Sequence, residues 1–74
     1  MGLIEGQRFK GCVNAGWGTI LCRNDSHRAN RTIEAYNVQF DHGKVFIGWW
    51  RCHVESTEPK IKTIIRRLLK RVFK

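Results

Sequence analysis

The sequence predicts a mainly β chain that ends in one helix: a small antiparallel barrel of four to five short strands over residues 1–56, packed by a basic amphipathic helix over residues 57–74. Three observations carry that expectation. Tyr36, Val38 and Phe40 alternate with Asn37 and Gln39 at the period of a half-buried strand. Turn signals recur along the chain and no helical period occurs before residue 57. Beyond it, Ile61, Ile64, Ile65, Leu68, Leu69, Val72 and Phe73 mark one face of a 3.6-residue helix.

Taken in order, residues 6–13 alternate loosely and open the sheet, and residues 17–22, bounded by Gly16, form a second β-prone run. Residues 23–31 are polar and turn-rich and serve as a loop. Residues 32–41 form the alternating strand, and Asp41-His42-Gly43-Lys44 is a tight-turn signal. Residues 45–54, rich in aromatic and β-branched side chains, resume as strand. Ile20, Val38, Phe40, Val45 and Ile47 are expected to face a common interior. Gly16 and Gly18 flank Trp17, which suits a bend where an indole lies across backbone without Cβ atoms. Closure into a barrel would remove the exposed strand edges of so short a chain. Ser56 or Thr57 can cap the helix, with Glu58 in its first turn and Pro59 tolerated there. A helix of this length is marginal alone in water, so its apolar stripe needs a surface, and the barrel is the expected one.

With 74 residues the chain is a single domain, and a core of that size supplies only about 3–5 kcal/mol of net stability, which disfavours a large active-site cavity. An apolar content of 42% and eight aromatic residues nonetheless predict a folded chain. Cys12, Cys22 and Cys52 form no CxxC pair and only His53 adjoins one of them, so buried small thiols are expected rather than a metal site. No cofactor is expected. No Gly-rich phosphate loop or nucleophile elbow is present, and His27, His42 and His53 are scattered among turns and a strand end, so catalysis is not expected. The opening lacks the apolar core of a secretory signal, and no stretch approaches the ~20 apolar residues of a membrane span. A cytoplasmic, reduced setting follows as an expectation, in which the Asn24 and Asn30 glycosylation-type triplets carry no meaning.

Charge divides the chain. Residues 60–74 hold Lys60, Lys62, Arg66, Arg67, Lys70, Arg71 and Lys74 without one acid, whereas residues 1–59 carry seven basic against six acidic side chains. Such a block is best tolerated where an anionic partner neutralises it. With the stripe docked on the barrel, these seven cations would form a phosphate-contacting face. Trp50 and Arg51 on the last strand, with Arg28 and Arg31 in the loop, are further candidate nucleic-acid contacts. Duplex DNA is expected over RNA, bound with little sequence preference, because the helix offers almost no Asn or Gln for base edges. Two alternatives stand beside it: a cationic membrane-surface protein, since interfacial helices share this pattern, and a regulator of an acidic host protein such as a polymerase subunit or nuclease.

Residues 6–9, 16–20 and 36–43, with their Gly-x-x-Phe, Gly-Trp-Gly-Thr-Ile and Tyr-x-Val-x-Phe-Asp-x-Gly runs, resemble the small Src-homology-3-like barrels of the Tudor and KOW type. The resemblance spans residues 6–55. It implies a barrel that elsewhere serves nucleic-acid, polymerase and peptide binding, including in small phage proteins. The basic helix is not part of that pattern.

Overall fold

A computed structural model describes residues 2–28 and 30–72, the side chains of residues 71 and 72 excepted. Among the described residues, five strands precede one helix: β1 (Arg8–Gly11), β2 (Gly16–Arg23), β3 (Ala35–Phe40), β4 (Val45–Trp50), β5 (Val54–Thr57) and α1 (Lys60–Val72). The strands form one antiparallel sheet in the order β4-β3-β2-β1-β5. Three successive hairpin-type connections carry the chain from β1 to β4, and a 3-10 turn at Arg51–His53 redirects it so that β5 returns beside β1.

The alternating pattern of β3 sets the core. Tyr36, Val38 and Phe40 are buried on one face, joined by Phe9, Ile20 and Val54, with Trp49 packed against them. The Phe9 and Phe40 rings lie 5.5 Å apart, and the Trp49 ring meets Phe40 edge-on at 5.1 Å. Gly18 makes that packing possible, because a Cβ there would come within 3.0 Å of both phenyl rings and the Gln39 carbonyl. The glycine therefore serves the phenylalanine pair, and Trp17 beside it points to solvent. Tyr36 is wholly buried; its hydroxyl accepts the Leu3 N–H at 2.9 Å and donates to the Glu34 carboxylate, tying the N-terminal segment over the core. That bond holds the Glu34 carboxyl below its ordinary range, while burial pushes the Tyr36 phenol up.

Two expectations are corrected. The barrel does not close, since among the described residues no ladder joins β4 to β5, and these strands remain the sheet's two edges. The intervening 3-10 turn changes the chain's direction instead of folding it back as a hairpin. Val45 and Ile47 do not face the interior: they are 49% and 54% exposed. Val38 pairs with Phe46 and Tyr36 with Trp49, so two residues of β4 oppose Asn37 alone. This bulge, with Gly48 at φ 84°, shifts the alternation by one: Phe46 and Trp49 share the core side, and Val45 and Ile47 take the outer face. Further bulges sit at Leu21 in β2 and Glu55 in β5. Each bends its strand and increases the sheet's twist.

Candidate functional site

The helix was expected to hide its apolar flank on the sheet; it does the reverse. Ile61, Ile64, Ile65, Leu68 and Leu69 are 44–60% exposed, whereas Thr63 is 1% exposed. At about 100° per residue the centre of the apolar stripe lies roughly opposite Thr63, so the stripe faces away from the protein. The cause is a polar anchor. Glu58 follows β5 directly, and its carboxylate accepts the Arg8 backbone N–H at 3.0 Å, the Thr63 hydroxyl at 2.8 Å and the Arg66 guanidinium at 2.5 Å. Arg66 donates also to the Gly6 carbonyl at 3.0 Å. These contacts select the Thr63–Arg66 side of α1 and orient the opposite side outward.

The Arg66 guanidinium, with the other two donors, holds the Glu58 carboxyl well down, to about 2, against its partial burial. Glu58 and Thr63 were not among the sequence-derived candidates. Their signal was present: Glu58 is the last acid before a block without acids, and Arg66 lies about two helical turns beyond it.

The anchor also changes the role of the basic residues. Arg66 is neutralised by Glu58, and Arg67 lies 4.0 Å from Glu5. Arg66, Arg67 and Lys70 line a cleft of about 370 Å³ with Arg8 and Thr19, but Arg8 is itself bound to Asp41 at 2.5 Å. An unbroken cationic rim is therefore not what α1 presents. Lys60, Lys62 and Lys70 form no ion pair among the described residues. The candidates Arg71, by its side chain, and Lys74 fall outside the described residues.

Of the remaining candidates, Trp50 lines a groove elsewhere, whereas Arg28, Arg31 and Arg51 are not on its lining. Trp49 and Trp50 divide as neighbours on a strand should, Trp49 inward and Trp50 41% exposed. Trp50 donates its Nε1 proton to the His27 carbonyl at 2.9 Å, which brings the loop carrying Arg28 to β4. Arg28 in turn braces that loop through the Arg31 carbonyl at 2.6 Å. Trp49, Trp50, Phe46, His53 and Val13 line an apolar groove of about 610 Å³. Cys12 also lines it, its sulfur 3.5 Å from His53 Nδ1. Cys22 and Cys52 are exposed free thiols, contrary to the expected burial. Among the described residues no three His, Cys, Asp or Glu side chains converge as a metal site would require.

The fold and site thus define a small mainly-β protein carrying an outward-facing cationic amphipathic helix. No protein-family model, curated protein or solved structure matches the chain.

Proposed function

We propose that this protein is a membrane-surface protein, a small Src-homology-3-like barrel with an open seam that holds α1 in the interfacial plane of anionic bilayers. One observation carries the reading: the exposed Ile61, Ile64, Ile65, Leu68 and Leu69 stripe on a helix fastened by its opposite, polar side. The strand order supports the barrel, because β5 returns beside β1 and the bulges curl the sheet around one core. The helix supports the surface mode. Its 13 residues span about 20 Å, less than a bilayer's hydrocarbon core of about 30 Å. No described helix is long and apolar enough to cross a membrane.

Charge selects lipid over a second copy as the stripe's cover. Residues 60–72 contain no acid, so pairing two stripes would bring like charges together along the helix flanks. Anionic headgroups instead meet Lys60 and Lys62, which flank the stripe, while the apolar side chains enter the acyl boundary. The duplex-DNA reading required the stripe to be covered by the sheet, and the exposed stripe weighs against it.

The test is co-sedimentation of the full chain with phosphatidylglycerol-containing and pure phosphatidylcholine vesicles. At about 1 kcal/mol per surface lysine, two lysines give roughly 30-fold tighter binding to the anionic vesicles. Leu68→Glu with Ile65→Glu abolishes it. Binding that ignores lipid charge or survives the double variant overturns the proposal, as does a stripe occupied by a stable dimer or an acidic protein.

A further inference from the structure

We infer that the groove between β4, the β1–β2 turn and the 3-10 turn is a stacking site for unpaired bases of a single-stranded nucleic acid, with Arg28, Arg31 and Arg51 meeting its phosphates. The site is independent of the membrane face. Glu58 and α1 leave β5 beside Arg8, whereas His53 and Cys12 adjoin Gly11, so helix and groove lie at opposite ends of β1, a strand about 13 Å long.

The groove's size of about 610 Å³ is that of a small-ligand site, and its walls are flat and apolar. The Trp50 indole already stacks a planar heterocycle, the His53 ring, at 5.9 Å and 10° between planes. A base offers the same kind of face, and stacking of this kind tolerates any base.

Charge points to an anionic ligand rather than a neutral ring. No Asp or Glu lines the groove. Arg28 and Arg31 stand in the loop that Trp50 holds, Arg51 follows Trp50, and none of the three forms an ion pair among the described residues. Val13, on the groove's lining, is 91% exposed and held at φ 52°, a conformation β-branched residues avoid and one that binding sites retain. Bases paired in a duplex present edges, not faces, so stacking here selects single strands.

Fluorescein-labelled oligothymidylate and oligouridylate of about ten nucleotides, titrated at about 50 and 200 mM salt, test the inference. Both arms report anisotropy and quenching of tryptophan emission, and together they separate DNA from RNA as the source. The expected result is salt-weakened binding with quenching. Trp50→Ala weakens it roughly 5- to 150-fold, and Trp50→Phe restores most of it. Arg28→Glu with Arg51→Glu, both outside the core, weakens binding and flattens its salt dependence. Leu68→Glu with Ile65→Glu leaves it unchanged, which separates this site from the lipid-binding face. Absence of quenched binding, normal affinity in the double arginine variant, or equal affinity for duplex of the same sequence overturns the inference.

Discussion

Glu58 is the residue on which the helix's direction turns. Its carboxylate has three donors on three different segments, β1, the first turn of α1 and the second, so removing its charge releases Arg66 and loosens the anchor. Glu58→Gln should cost about 1–3 kcal/mol of helix docking, read as faster amide exchange along α1 with the β3 amides still protected. The pH dependence has a fixed sign. The folded value of about 2 lies below the unfolded carboxylate value of about 4.3, so the stabilisation is complete above that upper value and is lost as pH falls toward 2. Acidification should free α1 in the wild type, and Glu58→Gln should remove most of that response. Glu34 and Asp41, lowered by Tyr36 and Arg8, titrate in the same direction and leave a residual acid sensitivity in the sheet.

Among the elements, β3 was legible in the sequence and β4 only half so. Alternation at Tyr36, Val38 and Phe40 reports a face directly, because nothing interrupts the period. In β4 the run Val-Phe-Ile-Gly-Trp-Trp is apolar on both faces, so its pattern could not say which residues point inward. The Gly48 bulge then reverses the parity midway. The two isoleucines make the difference measurable. Ile20→Ala should cost about 2–5 kcal/mol in chemical denaturation, whereas Ile47→Ala should stay within about 0.5 kcal/mol. An equal loss at both would place Ile47 in the core after all. The helix shows a different limit. Periodicity located its apolar stripe, but periodicity is blind to which side docks, and that choice was made by Glu58, Thr63 and Arg66 through hydrogen bonds that no hydropathy pattern encodes. The groove was legible in part: Trp50 was visible as a type, while Cys12, Val13 and His53 arrive there only through the β1–β5 pairing.

At the scale of the whole molecule, β1 acts as a spacer with a different chemistry at each end. One end turns an apolar, lysine-flanked helix outward; the other gathers indoles and histidines around a groove beside the loop that carries Arg28 and Arg31. Because the two surfaces share no lining residue and sit apart, occupation of one leaves the other open, and under both proposals the chain would hold a single strand at a bilayer. Both proposed ligands are anionic, and the net charge of +8 favours the approach of either. If both surfaces work as proposed, a labelled oligonucleotide should pellet with anionic vesicles only when the protein is present. Trp50→Ala should leave the protein in the pellet and the oligonucleotide in the supernatant, whereas Leu68→Glu with Ile65→Glu should leave both in the supernatant, still bound to each other. Competition between vesicle and oligonucleotide for the wild-type protein would show instead that one cationic surface serves both, which would mean that Lys60 and Lys62, not Arg28, Arg31 and Arg51, meet the phosphates.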